Sequence, residues 1–384
     1  MQRIYLDHNA TTPLVSPALE RFCSVAREVW GNASSVHHFG QQAKAVLDGA
    51  RASVAALLGA EPSEVVFTGG GTDGDNAAVR GAAEALEPSA RRHLIVSSIE
   101  HEAVLQTAKA LARRGWRVTL LPVGASGVVE PDALAAALTD DTAVVSVMHA
   151  NNEIGTLQPV AELAALARAR GALFHTDAVQ TAGKLPIDVG ALGVDLLSIS
   201  AHKFGGPKGA GALWIRRGVR LVPFMTGGRQ ERGRRAGTEN VPAIAGMGAA
   251  ADYARETMGE AAPRVAALRD RLERGILERV PGTAMNGSGA RVPNTTNISV
   301  DRVESESLLI ALDLEGVAVS SGSACSSGTL EPSHVLKAMG FPHHRTLNSL
   351  RFSLGASNTE AEIERVIDVL PGLVTKLRGL ASRS

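Results

Sequence analysis

Aromatic residues make up only 3% of the 384 positions, and cysteine occurs twice, as Cys23 and Cys325. Two isolated thiols without a Cys-x-x-Cys pair argue against a disulfide framework and a thiol-rich zinc site, and they suit a reducing, cytoplasmic setting. No apolar run approaches the roughly 18 residues that span a bilayer. The opening MQRIYLDHNATTP has no basic start followed by an apolar stretch, so a soluble protein is expected. An excess of charge of either sign is missing too: Lys plus Arg number 39, and Asp plus Glu number 39. Nothing in that balance favours nucleic acid or a membrane surface, and the expected partner is a small metabolite. The 11 histidines contain no His-Glu-x-x-His or other metal spacing, so no catalytic metal is expected. His343-His344, beside Pro342, reads as an exposed turn.

What is present is a chain that is 45% apolar and long enough for one large domain with a smaller one packed on it. From about residue 40, helical apolar spacing (Val46, Ala50, Val54, Leu57, Leu58) alternates with short apolar runs that read as buried strands. These runs are Val65 to Thr68, Leu94 to Ser98, Arg117 to Leu121, Ala143 to Met148, Leu173 to Thr176, Leu196 to Ser200 and Ala212 to Ile215. The alternation predicts an α/β fold with a seven-stranded, mainly parallel sheet covered by helices. A long mixed-charge helix around residues 250 to 280 reads as a bridge into a second, α+β region. There, 291 to 301, 317 to 320 and 350 to 354 read as strands, Ser320 to Gly328 as a flexible loop and 359 to 380 as a closing amphipathic helix.

In parallel sheets the chemistry gathers beyond the carboxyl ends of the strands. Gly69-Gly70-Gly71-Thr72 follows the first run, between strand and helix, where free backbone N–H groups and the positive helix end can face a phosphate. The same stretch, Gly69 to Gly74, matches Gly-x-Gly-x-x-Gly, with Glu100 available as a ribose acid, so a dinucleotide site and a plain tight turn both stay open. Asp177 follows the fifth run, and His202-Lys203 the sixth. Pyridoxal phosphate needs a lysine for its Schiff base and an acidic partner for its pyridine nitrogen, and Lys203 and Asp177 on neighbouring strands would supply both. His101 after the second run fits either a ring stacked on the cofactor and moving protons or a helix cap. Arg351, set among apolar neighbours, fits either a substrate carboxylate or a structural ion pair. Cys325 sits in SSGSACSSG, small residues that suit an accessible thiol, whereas Cys23 sits in a helical pattern and reads as a packing residue.

The motifs YLDHNATTP, VVFTGGGTDGDN, SSIEHEAV, HANNEIGT, FHTDAVQTAGK, SISAHKFGGPKG, ERGRRAGTEN, SSGSACSSGTLEPSHVL and RFSLG follow one another along nearly the whole chain. In that order they resemble the cysteine desulfurases of the nitrogen-fixation and iron–sulfur-cluster type, within the class V aminotransferase family. The resemblance implies a fold-type-I homodimer, with residues 15–251 as the large cofactor-binding domain and 1–14 with 252–384 as a small domain bearing the cysteine loop. It implies pyridoxal 5'-phosphate held by Lys203, with Asp177 on the pyridine nitrogen, Gln180 on the phenolic oxygen and His101 stacked on the ring. Gly71, Thr72, Ser200 and His202 would form the phosphate shell, and Thr238 would be contributed by the opposite subunit. Asn152 and Arg351 would hold the substrate carboxylate, and Cys325 would accept sulfur.

The expected reaction turns L-cysteine into L-alanine with a persulfide on Cys325, Lys203 acting as the base and His101 as proton shuttle. Its sulfur would pass to an acceptor protein, a cluster scaffold or a thiolation enzyme. The sequence ends at Ser384, without the C-terminal extension that housekeeping members use to dock a scaffold, which leaves the acceptor open. The phosphate loop also departs from the family, with Gly-Thr-Asp-Gly where many relatives have Ala-Thr-Glu-Ser. The rivals are a class V aminotransferase or selenocysteine lyase, neither of which explains Cys325, and a nicotinamide-dependent dehydrogenase using Gly69 to Gly74.

Overall fold

The computed structural model describes residues 3–321 and 332–381. Cys325 and most of the expected Ser320–Gly328 loop lie outside the described residues. The strands are β1 (Ile4–Tyr5), β2 (Val65–Thr68), β3 (His93–Ser97), β4 (Arg117–Leu121), β5 (Thr142–Ser146), β6 (Leu173–Asp177), β7 (Leu196–Ser200), β8 (Gly211–Ile215), β9 (Thr283–Met285), β10 (Thr295–Val300), β11 (Val317–Ala318) and β12 (Ser349–Ser353).

Seven of them form one sheet in the order β2-β8-β7-β6-β5-β3-β4. All residues of β2, β3, β5, β7 and β8 are buried, which is why these runs are continuously apolar rather than alternating. The pleat still sorts their side chains with period two. Val65, Phe67 and Ile95 enter one core, while Val66, Leu94 and Val96 enter the core on the opposite face. Each such aliphatic side chain contributes about 1.5–3 kcal/mol by leaving water. The seven expected strands of this sheet appear within a residue or two, and the sheet is mainly parallel. β8 is the exception, antiparallel to both β2 and β7. The link from Ser200 to Gly211 is too short for the helical crossover that a parallel return requires.

The bridging helix spans Val241–Arg279, starting earlier than its charge pattern suggested, and is capped by the side chain of Asn240. Val241 to Ala254 packs in the first core, and Val265 to Ile276 in a separate one. Pro263, which removes one backbone donor, falls between these halves. The separate core contains Ile4 and Leu6 together with Ile298, Leu350, Phe352 and Ile363. Its antiparallel sheet runs β12-β10-β9, and β1 pairs in parallel with β11. The closing helix is Glu360–Ala381. His343-His344 is exposed as expected, but it opens a short helix, His343–Leu347, rather than a turn. Among the described residues no helix is long and apolar enough to cross a membrane.

Candidate active site

β2 ends at Thr68, and the next helix begins at Gly71 with no side chain capping it, so first-turn N–H groups remain for a ligand. Gly70 has φ +145°, a conformation open to glycine, and a Cβ on Gly71 would stand 2.8 Å from Val179 Cγ2. The helix start therefore meets a cleft of about 750 Å³ lined by Gly71, Thr72, Ser200, His202, Lys208 and Arg235. Arg235 pairs with Asp73 at 3.1 Å, which offsets the acid closest to that helix end. The donor set suits a phosphate.

Asp177 closes β6, and Lys203 lies in the tight turn following β7. These two strands are parallel neighbours, so both side chains belong to the same carboxyl edge. Asp177 is 6% exposed, and its Oδ1 accepts from Val179 N at 2.8 Å. Burial pushes its carboxyl up, while His101 and Lys203 favour the charged form. A buried carboxylate of this kind is suited to a cationic partner such as a pyridinium. Lys203 donates to the carbonyls of Asn9 and, at 2.9 Å, Ala10. Gln180 donates to Asn9 O at 3.0 Å. His202 lies 3.2 Å from Thr11 Oγ1, and burial with the neighbouring Lys203, Lys208 and Lys184 pushes it down to about 4. It is neutral at pH 7, a hydrogen-bonding rather than a charged member of the cleft.

His101 is the cap residue of helix Glu102–Arg113: its Nδ1 accepts from Ala103 N at 3.1 Å. That bond puts the proton of the neutral ring on Nε2, leaving a donor for other work, so capping does not compete with a role at the ring of a cofactor.

Arg351, on β12, is 4% exposed. Its Nη2 donates to Asp7 Oδ1 at 2.6 Å and its Nη1 to the carbonyl of Asn152 at 3.1 Å. Its Nε is buried with no partner among the described residues. The structural ion pair thus exists, and Nε remains a donor that no described residue accepts. Thr238 is exposed and lies outside the cleft lining in this chain.

Two residues within the motifs take roles that the sequence did not assign to them. Asn9 ties the regions together: its amide donates to Asn152 O and Thr295 Oγ1, its Oδ1 accepts from Asn294, and its carbonyl receives Lys203 and Gln180. Only its place in the polar YLDHNATTP stretch hinted at this. Glu100 is the second. It is wholly buried, accepts from Ser97 Oγ at 2.5 Å and Met148 N at 2.7 Å, and is pushed up to about 8 by burial. A neutral acid enclosed in the core cannot meet a ribose, which removes the acidic residue that the dinucleotide reading required.

The family model "Aminotransferase class-V" matches residues 4–366. A cysteine desulfurase of Nostoc sp. is 48% identical over 382 residues, covering 99% of this chain and 95% of that protein. "Cysteine desulfurase IscS" of Dictyoglomus turgidum is 47% identical, covering 99% and 96%. Among solved structures, a "NifS-like protein" superposes with TM-score 0.92 at 38% identity, covering 98% of this chain and all of the other. "SspA in complex with cysteine" reaches 0.82 at 34% identity, covering 93% of this chain and 100% of that one. The chain belongs to the class V aminotransferase family, in its cysteine desulfurase branch.

Proposed function

We propose that this protein is a pyridoxal-phosphate-dependent cysteine desulfurase that converts L-cysteine to L-alanine and loads the sulfur onto Cys325. The observation that carries this reading is Asp177 and Lys203 at the ends of adjacent strands, next to an uncapped glycine-rich helix start whose Gly70 and Gly71 lie against Ser200.

Lys203 is the residue to hold the cofactor aldehyde, and the helix start, Thr72, Ser200 and His202 are the phosphate shell. Bound there, the cofactor supplies a ring that takes up the electron pair released at the substrate α-carbon. Asp177 would keep the pyridine nitrogen protonated, and Gln180 would donate to the phenolic oxygen. Asn152 and Arg351 grip the amino-acid carboxylate. Lys203 would be the base for the α-proton, and His101 would move protons through Nε2. At Cys325 the substrate C–S bond breaks as an S–S bond forms, and the carbon skeleton leaves as alanine. Support for cysteine as substrate comes from the names of the relatives and from the cysteine-bound neighbour.

We further infer a homodimer with Thr238 reaching the partner's cleft, a cytoplasmic location and a protein acceptor for the persulfide sulfur. The separate cores support a large unit of 15–251 and a small unit of 1–14 with 252–384, although Val335, Leu336 and Met339 of the latter pack in the first core. The test is spectroscopic. Purified protein should carry a visible cofactor band that borohydride abolishes while fixing the cofactor to the Lys203 peptide; a colourless protein that binds NAD would overturn the reading.

A further inference from the structure

Gln180 ends in an amide whose two faces are fixed by different neighbours. Its Nε2 lies 3.0 Å from the backbone carbonyl of Asn9, an atom that only accepts. Its Oε1 therefore turns the other way, where Lys184 Nζ stands at 2.8 Å and must be the donor. The same Nζ reaches Asn9 Oδ1 at 3.3 Å. The orientation of Asn9 is fixed independently, because its amide nitrogen meets the carbonyl of Asn152. Two hydrogens satisfy both contacts of Lys184, so the arrangement works for an ammonium and for a neutral amine alike. Burial, with Lys203 and Arg351 nearby, holds Lys184 well below the ordinary lysine value, and a neutral amine meets this demand.

The backbone brings Lys184 to this place. Gly183 has φ +72°, and a Cβ there would stand 2.4 Å from Phe204 Cβ, so the Lys184 segment lies directly against the one that carries Lys203. With one amide hydrogen of Gln180 on Asn9 and its oxygen on Lys184, the second Nε2 hydrogen is the one left to offer.

We infer that Lys184 is a positioning residue that locks the Gln180 amide with its N–H toward the phenolic oxygen of the cofactor. The inference rests on the proposed function, which places that oxygen beside Gln180. Without Lys184, a buried acceptor loses its donor and the amide is held at one end only. A hydrogen bond to a charged oxygen stabilises its ionised form, so losing it raises the pH at which that form appears.

The experiment uses the holoenzyme of the parent, Lys184→Met, Gln180→Ala and the double variant, each checked for fold by circular dichroism. It reads the pH midpoint of the visible cofactor band and the dissociation constant of pyridoxal phosphate. Each single variant should raise the midpoint and weaken cofactor binding roughly tenfold, as loss of one charge-assisted hydrogen bond implies. The double variant should do no more than Gln180→Ala alone, because Lys184 acts through Gln180. Additive effects, or a parental midpoint in Lys184→Met beside a shifted Gln180→Ala, would overturn the inference and leave the proposed function standing. A parent without a cofactor band would overturn both.

Discussion

Ser320 and Arg351 exchange backbone hydrogen bonds in both directions, Arg351 N to Ser320 O at 2.7 Å and Ser320 N to Arg351 O at 3.2 Å. The strand that carries the proposed carboxylate-binding arginine is thereby fastened to a residue five positions before Cys325 in sequence.

The fork of Arg351 is the first element to test. Arg351→Lys keeps the charge but loses the second arm, and hydrogen bonds to charged groups contribute about 1.5–3 kcal/mol, roughly ten- to over a hundredfold in binding. Steady-state kinetics should show kcat/KM for cysteine falling by at least about tenfold, with the cofactor band unmoved. Parental kinetics would assign Arg351 to its ion pair with Asp7 alone.

A buried pair elsewhere predicts stability. Arg51 meets Glu231 through two contacts of 2.7 Å, and Glu231 also accepts from Phe67 N at 2.9 Å. Removing one charge from such a pair leaves the other uncompensated, at a cost of about 3–5 kcal/mol. Urea unfolding of Glu231→Gln should show a loss of that order; a change below about 1 kcal/mol, the range of an exposed pair, would contradict the assignment.

Glu100 predicts a pH dependence. Its folded-state value lies near 8, raised from the ordinary 4.5 by burial. A raised acid contributes its full share of stability below its unfolded value and loses it as pH climbs toward the folded one. Glu100→Gln, permanently neutral, escapes that loss. Between pH 5 and 8 the variant should gain on the parent by on the order of 1 kcal/mol per pH unit in unfolding free energy. A difference that stays flat across this window would show Glu100 to be ionised.

The order of the strands along the chain was legible because buried strands are unbroken apolar runs between helices, and the polar residues at their ends marked the site. The orientation of β8 was not, since an apolar run carries no sign of its direction. Nor were Asn9 and Glu231, whose partners lie far away in sequence: Thr295 for Asn9, and Arg51 and Phe67 for Glu231. His101 and Arg351 each had two open readings, and for both the structure shows the structural bond in place with a donor left over. Neither could be decided by spacing, because both readings demand the same residue.

The central claim is that sulfur leaves through Cys325, and the most direct measurement is alanine formed from cysteine by the holoenzyme of Cys325→Ser, with Cys23→Ser beside it. Cys23, half-buried in helix Ser16–Glu28, should be dispensable. Cys325→Ser should bind pyridoxal phosphate and change its spectrum on adding cysteine, yet form almost no alanine and no protein-bound persulfide, while Cys23→Ser matches the parent. Alanine produced by Cys325→Ser at the parental rate would contradict the persulfide route.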